Sequence, residues 1–193
     1  MKAVIDALNV VYDEREKRSF VKLTLVALAF TFGGLCFVIL ALGAVVILPL
    51  VFAWLGLESR TAQIISLLRW PALFLIVLVW LAVLYRYGPS RTRPRWQWLS
   101  IGSLFASIVW LIGSALFSWY LSNFANYEAN YGSLGAGVGL MIWLWISVIV
   151  VLVGGELNAE TEHQTVRDTK IAPEKPLGQR GAVMADTVGE KRT

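Results

Sequence analysis

The chain has 193 residues, a formal net charge of +4, 57% hydrophobic residues and 16% charged residues. An ordinary soluble domain has about 25% charged residues. The composition therefore excludes that class, and its high hydrophobicity excludes disorder for most of the chain. Cys36 and His163 are the only cysteine and histidine, which excludes a disulfide scaffold and leads us to predict no metal site and no cofactor.

Residues 1–22 are predicted to form a cytoplasmic amphipathic helix ahead of the first membrane span. Its charged side chains, such as Lys2 and Asp6, lie away from an apolar face. This pattern is typical of a helix that lies in the membrane interface. The apolar face is formed by five residues: Val4, Ile5, Leu8, Val11 and Tyr12.

Four long apolar segments follow, and they predict an all-α fold, a bundle of four membrane-spanning helices over residues 23–158. About 20 apolar residues cross the bilayer core as a helix, and each segment is long enough. Each must be helical because lipid offers the backbone no other hydrogen-bond partner. The first is too long for one straight span, so we expect it to tilt or kink. The segments are 23–57, 64–85, 99–124 and 134–157.

The 17 Lys and Arg residues are distributed unevenly between the connecting segments. Residues 1–22, residues 86–98 and the tail after the fourth span are basic, whereas residues 123–133 carry neither Lys nor Arg. The positive-inside rule places the three basic segments, and hence both termini, in the cytoplasm. Residues 159–193 contain prolines, glycines and scattered charges, and are predicted to form a mostly disordered cytoplasmic tail.

Glu156 is the only charged residue of the fourth apolar segment. A carboxylate at this depth is costly unless it faces water, a cation or the bundle interior. We therefore take Glu156 as a candidate functional residue, with an ordinary interfacial carboxylate as the alternative. Glu160 and His163 have the Glu-x-x-His spacing of di-iron bundles, but that site needs a second histidine. We interpret them as part of a helix emerging into water.

Small residues in the last two segments are interpreted mainly as helix contacts. Gly135 and Gly139 form a GxxxG motif, which lets a neighbouring helix approach closely; the alternative is a flexible point lining a pathway. Four serines recur roughly on one face of the third segment, as a helix contact or as the lining of an aqueous path: Ser103, Ser107, Ser114 and Ser118.

Three tryptophans are also expected to fill helix contacts: Trp110, Trp143 and Trp145.

Two stretches of the chain are distinctive: DALNVVYDEREKRSF at 6–20 and YEANYGSLGAGVGLMIWLWISVIVVLVGGELNAE at 127–160. The second joins a Tyr-Gly-Ser-Leu-Gly turn, an apolar span with paired Trp and a Gly-Glu-Leu-Asn motif. With these motifs the chain resembles the YihY/virulence factor BrkB family. The resemblance extends to about residue 165 and implies a multi-pass bacterial inner-membrane protein. The candidate functional residues in these motifs are Asn9, Tyr12, Asp13, Tyr131, Gly132, Glu156 and Asn158.

Members of that family are usually larger, so the resemblance implies a shortened member that lacks the family's N-terminal part. They have also been called ribonuclease BN. Hydrolysis of a phosphodiester needs a metal cluster or a placed acid and base, and no such set is visible in the sequence. The basic segment 86–98 is explained by topology. We therefore predict neither catalytic residues nor a nucleic-acid partner.

The expected function is the movement of a solute or lipid across the membrane, or maintenance of the envelope. The alternative is a structural or partner-binding membrane subunit without transport activity. A membrane-bound ribonuclease is the third and disfavoured hypothesis. The expected partners are the lipid bilayer and either a second copy or another membrane protein.

Overall fold

The structure is a computed structural model. It describes residues 1–43, 47, 54, 59–92, 94–123, 133–165, 167–170 and 174–189. These residues are mostly helical and contain no β-strand apart from one isolated bridge, which confirms the all-α prediction. The helices are α1 (Lys2–Val11), α2 (Phe20–Leu42), α3 (Ser59–Tyr87), α4 (Ser100–Asn123), α5 (Ser133–His163) and the short α6 (Val183–Asp186), with a 3-10 turn at Trp96–Trp98.

Within the described residues, helices α2 to α5 are each long and apolar enough to cross a membrane. Their apolar stretches have a mean hydropathy between 1.8 and 2.6 and remain mostly unburied inside the protein, as expected of helices that face lipid. The spans are Phe20–Leu40, Trp70–Tyr87, Ile101–Asn123 and Gly135–His163. The four predicted segments overlap these helices, except that most of the first segment beyond Gly43 lies outside the described residues.

Helix α1 is amphipathic, but protein rather than lipid covers its apolar face. Ile5 and Leu8 are fully buried, and Leu8 lies over Gly155 of α5. The apolar face of α1 therefore packs on α5, and its position in the membrane interface stays a prediction. The packing is possible because Gly155 has no side chain, so α5 presents a shallow surface that accepts the leucine.

Helices α4 and α5 approach each other closely where small residues face one another. A methyl group added at Gly154 would lie 2.7 Å from Cβ of Ala106, and one added at Gly102 would lie 2.6 Å from Cγ of Asn158. At the other end of the pair, Gly139 lies opposite Leu121. Gly139 of the GxxxG motif thus lies at a helix contact, but the two helices approach most closely at Gly102 and Gly154.

Indole groups and hydroxyls join the middle of α4 and α5. Trp110 Nε1 donates a hydrogen bond to Ser147 Oγ at 2.9 Å, and Trp143 Nε1 donates to Ser114 Oγ at 3.1 Å. The two indole rings also meet edge to face, with centroids 5.5 Å apart. Trp145 differs from our expectation because it is 67% exposed and points away from the bundle.

The core lies at one end of the bundle, which we call the basic end. There the three basic segments meet: Lys17 N donates to Ser90 Oγ at 3.0 Å, and Arg95 Nε donates to the carbonyl oxygen of Lys170 at 2.9 Å. Apolar residues fill the centre of this end: Leu8, Tyr12, Leu84, Tyr85 and Leu99. The three segments that are basic in the sequence are therefore also in contact with one another in the fold.

The described part of the segment after α5 is packed against the protein, in contrast to the mostly disordered tail that we expected. Lys170 is 1% exposed and pairs with Pro94 in an isolated antiparallel bridge. Arg180 is also buried, and its Nη1 donates to the carbonyl oxygen of Ala185 at 2.9 Å. Backbone groups of the segment also bind residues far away in sequence: the Lys170 carbonyl oxygen accepts from Arg95, and the Val183 N–H donates to Glu14. Composition alone does not reveal such contacts.

Candidate functional site

The basic end contains a buried ion-paired network centred on Glu162, in the last turn of α5. Glu162 Oε2 pairs with Nη1 of Arg91, while Oε1 accepts hydrogen bonds from Lys170 Nζ and Thr169 Oγ1, each at 2.5 Å. The Glu162, Arg91 and Lys170 side chains are no more than 2% exposed. Two cations thus face one carboxylate in a site shielded from water. We call these three residues the Glu162 network.

The guanidinium group of Arg91 is held on its other side by Tyr12 of α1. It lies 3.8 Å from the centroid of the tyrosine ring, a distance at which cation–π attraction is effective. Burial raises the pKa of the Tyr12 hydroxyl to about 12, although the positive charge of Arg91 opposes this shift. The phenol is therefore neutral at physiological pH, and the ring acts as an uncharged platform for the arginine.

Burial also lowers the pKa of Lys170, because water no longer solvates its ammonium group, and the nearby charge of Arg91 acts in the same direction. The carboxylate of Glu162 opposes both effects by attraction and by a hydrogen bond. Lys170 and Arg91 therefore compete for a single counter-charge, and both depend on Glu162.

Asn158 lies one turn before Glu162 on the same face of α5 and joins this helix to α4. Its Oδ1 accepts a hydrogen bond from the backbone N–H of Gly102 at 2.8 Å, and the side chain is 1% exposed. Gly102 lies in the first turn of α4, where backbone N–H groups have no partner within the helix. Asn158 thus satisfies a donor that would otherwise be buried alone.

The residues of the N-terminal motif hold the connection after α1 in place. Asn9 Oδ1 accepts from the N–H of Ser90 at 2.7 Å, and its Nδ2 donates to Glu16 Oε2 at 3.0 Å. Asp13 has a φ of 50°, a left-handed conformation that aspartate tolerates better than most residues, and it ends the helix in a turn. Glu14 is buried and accepts from the N–H of Val183 at 3.0 Å.

The candidate residues predicted from the sequence fall into three groups. Asn9, Tyr12 and Asn158 lie buried at the basic end, and Asp13 forms the exposed turn beside them. Glu156 is exposed on α5, and its side chain forms no ion pair or hydrogen bond with any of the described residues. Two further candidates, Tyr131 and Gly132, lie outside the described residues.

Sequence reasoning missed the three members of the Glu162 network. The available signal was spacing: Glu162 follows Asn158 by four residues and therefore shares its helix face. The sequence indicates a topological charge at Arg91 and a disordered tail around Lys170. Neither has a local pattern that indicates burial, because Arg91 lies 71 positions before its carboxylate partner.

The described residues bring together no group of three His, Cys, Asp or Glu side chains that could hold a metal ion. The Glu-x-x-His pair does not form one there, since Glu160 is exposed and points to solvent. The chemical character of the site comes from charged groups held in fixed positions. It consists of two buried cations, one carboxylate and a neutral phenol, all positioned by helix ends.

Comparison with known proteins adds a family relationship. The family model described as Virulence factor BrkB matches residues 1–178. The ribonuclease-like protein YfkH of Bacillus subtilis is 35% identical over 167 residues, which are 82% of this chain and 59% of YfkH. A UPF0761 membrane protein of Glaesserella parasuis is 28% identical over 160 residues, which are 81% of this chain and 54% of that protein. The chain spans less than two thirds of either relative, and no solved structure matches it.

Proposed function

The chain belongs to the BrkB virulence factor family of membrane proteins, and from that premise we propose that it acts in the bacterial inner membrane. There it moves a solute or lipid or maintains the envelope. The observation that supports this proposal is the Glu162 network at the end of a membrane span. Buried charge is expensive in a membrane protein, and it is typical of pathways and of elements that open and close.

The network is suited to act as a closing element because it joins three separate parts of the chain. Arg91 belongs to the connection between α3 and α4, Glu162 to α5, and Lys170 to the segment after α5. Moving α5 away would leave both cations without their carboxylate, and moving either of the other parts away would remove one of the two cations from Glu162. Closure of the basic end is therefore coupled to the position of all three.

We propose further that the basic end faces the cytoplasm, together with both termini. Residues 1–22, residues 86–98 and the segment after α5 carry the basic side chains of this end, and the positive-inside rule favours the cytoplasmic side for such segments. Their contact at one end of the bundle supports a common side for all three.

The test compares two identical changes on one helix in a strain that lacks the gene, scored by survival under envelope stress. Glu162→Gln removes the carboxylate of the network, and Glu156→Gln, the matched control, changes an exposed carboxylate. Lys170→Gln serves as a milder variant because it keeps the Arg91–Glu162 pair. We expect Glu162→Gln and Lys170→Gln to fail to complement and Glu156→Gln to behave as wild type.

Protein amounts in the membrane are measured for each variant, so that loss of folding is separated from loss of function. Full complementation by both network variants at normal protein amounts would contradict the proposed role. Failure of Glu156→Gln alone would instead identify the exposed carboxylate as the functional residue, and the Glu162 network would then be structural.

A structural or partner-binding subunit is the second candidate function, and open small-residue faces favour it. Within the part of the chain that the structure describes, neither Gly113 of α4 nor Gly137 of α5 has a neighbouring atom within 4 Å of where a Cβ would lie. Such positions allow another membrane helix to approach closely. Liposomes that pass no candidate solute, combined with co-purification of one stable membrane partner, would support this function over transport.

Ribonuclease activity is not proposed. YfkH carries a ribonuclease-like name, but RNA hydrolysis needs a metal cluster or a placed acid and base. The carboxylate of Glu162 is instead engaged by Arg91, Lys170 and Thr169. Purified protein is expected to leave a tRNA precursor uncut with any divalent metal.

A further inference from the structure

A pocket of about 400 Å³ opens beside the Glu162 network, between the start of α2 and the end of α3. Five basic side chains line it, and no carboxylate is among its described lining residues. The basic residues are Lys17, Arg18, Lys22, Arg86 and Arg91. Three of these cations are paired with carboxylates outside the lining: Lys17 with Glu14, Arg18 with Glu16 and Arg91 with Glu162. Lys22 and Arg86 form no ion pair among the described residues, and this surplus of positive charge favours an anionic occupant.

Arg86, in the last turn of α3, gives the more specific indication. The residue is only 6% exposed, and its Nε and Nη1 atoms are buried without a hydrogen-bond partner in the described part of the chain. Its guanidinium group lies 4.2 Å from the ring centroid of Trp96. The indole face holds the cation in position but leaves its N–H donors unsatisfied, which costs free energy unless an acceptor enters.

Arg91 presents the same deficit to the same pocket. Its Nη1 atom binds Glu162, while Nε and Nη2 are buried and find no acceptor among the described residues. Arg18 differs, because it is already engaged by the Glu16 carboxylate and by the carbonyl oxygen of Gly88 at 2.7 Å. The pocket is therefore lined by two arginines that carry unsatisfied N–H donors and by Arg18, whose donors are already engaged.

The pocket lies at the level of a membrane surface. Lys22 is in the first turn of α2, Val26 lies one turn further into the span Phe20–Leu40, and both line the pocket. Arg86 is in the last turn of the span Trp70–Tyr87. Basic side chains above an apolar helix face match a ligand with a charged head and an apolar tail.

We propose that this pocket binds the phosphate group of an anionic ligand, and that the ligand is a phospholipid whose chains follow the exposed side of α2. Arginine suits this role because its planar N–H groups pair with two phosphate oxygens at once. Basic pockets between membrane helices are known to hold anionic head groups. The site does not depend on the proposed function, since a lipid can be held whether or not anything is moved.

The experiment uses the full chain purified in a neutral detergent and exposed to mixed micelles of phosphatidylglycerol or phosphatidylcholine. Retained lipid is counted by native mass spectrometry. Inorganic phosphate, added at millimolar concentration as a competitor, distinguishes a lipid head group from a soluble phosphate compound. We expect selective retention of phosphatidylglycerol that inorganic phosphate displaces only weakly.

Two variants test the pocket itself, with a third as control. Arg86→Gln removes the buried guanidinium and is expected to weaken phosphatidylglycerol binding about tenfold, as for loss of a hydrogen bond to a charged group. Lys22 is exposed, so Lys22→Gln should reduce binding in the same direction without disturbing the fold. Arg15→Gln, an equal charge change at an exposed residue outside the pocket, should leave binding unchanged.

The outcomes are distinct. Arg86-dependent binding of inorganic phosphate that phosphatidylglycerol does not displace would support the phosphate site but assign it to a soluble compound. Equal retention of both lipids with no phosphate binding would overturn the proposal. So would unchanged phosphatidylglycerol binding in both the Arg86→Gln and the Lys22→Gln proteins.

Discussion

At the scale of single residues, Asn158 shows how a motif can be explained by one hydrogen bond. Its side chain occupies the space left by the missing side chain of Gly102 and accepts the N–H of that same residue. The Gly-Glu-Leu-Asn motif therefore serves the junction of α4 and α5. Its glutamate, Glu156, points outwards and takes no part in this contact.

Replacement of Asn158 by alanine is expected to destabilise the protein by about 1–3 kcal/mol, because it leaves the Gly102 N–H buried without an acceptor. Thermal unfolding in detergent measures the effect, with Glu160→Ala at an exposed position of the same helix as the control. Equal midpoints for the two variants would show that the hydrogen bond contributes nothing.

Glu16 makes the stability of the N-terminal connection dependent on pH. Hydrogen bonds from Arg18 lower its pKa from 4.5 to about 2. The unfolded carboxyl group takes up a proton near pH 4.5, whereas the folded one does so only near pH 2. Its stabilising contribution is therefore complete above pH 4.5 and is lost as the pH falls through about 2.

The difference in unfolding midpoint between wild type and Glu16→Gln should accordingly be largest near neutral pH and shrink steadily as the pH falls from 4.5 towards 2. Glu174→Gln is the control, because it makes the same change at an exposed position of the tail. A midpoint difference that stays constant over this range would contradict the assignment.

The sequence predicted part of this site, and the missing part has a physical explanation. Asn9, Tyr12 and Asn158 can be predicted from sequence because they lie in identifiable motifs. Hydropathy favours Glu156 over Glu162, since it reports how deep a carboxylate lies along a span but not which way it faces. Its direction depends on which helix side α4 and α1 cover, and that is settled only by packing.

At the scale of helices, the contact of α4 with α5 depends on the absence of side chains. Gly154 faces Ala106 and Gly102, and the backbones approach so closely that no further atom fits. Length and hydropathy predicted the helices themselves. They could not identify this contact, because a glycine in a membrane span is equally compatible with an exposed face such as that of Gly137.

Gly154→Ala should therefore destabilise the bundle, with an overpacking cost of about 1–3 kcal/mol. The new methyl group would clash with the Tyr85 hydroxyl of α3 and would meet Cβ of Ala106 at 2.7 Å. Gly137→Ala makes the same change on the same helix in open space, where alanine is favoured over glycine by about 1 kcal/mol. Unfolding midpoints of the purified variants should fall on opposite sides of the wild type. A Gly154→Ala midpoint at or above the wild type would disprove the close contact.

At the scale of the whole molecule, charge distribution predicts orientation. The basic end joins the N-terminal segment, the connection between α3 and α4, and the segment after α5. Reporter fusions at either terminus or at Arg93 should show cytoplasmic activity, and a fusion within 124–130 should show periplasmic activity. A periplasmic signal at Arg93 would reverse the topology and contradict the assignment of the three basic segments to the inside.

The unequal number of charges in the Glu162 network has a consequence for cleavage of the chain. Lys170 reaches the network only because the segment after α5 folds back. A protease cut between His163 and Lys170 would remove that ammonium group and leave Arg91 and Glu162 as an electroneutral pair. Removal of the C-terminal segment would thus lower the net charge of the Glu162 network from +1 to zero. The basic end would then attract anions in the adjoining pocket less strongly, although no membrane-spanning residue is changed.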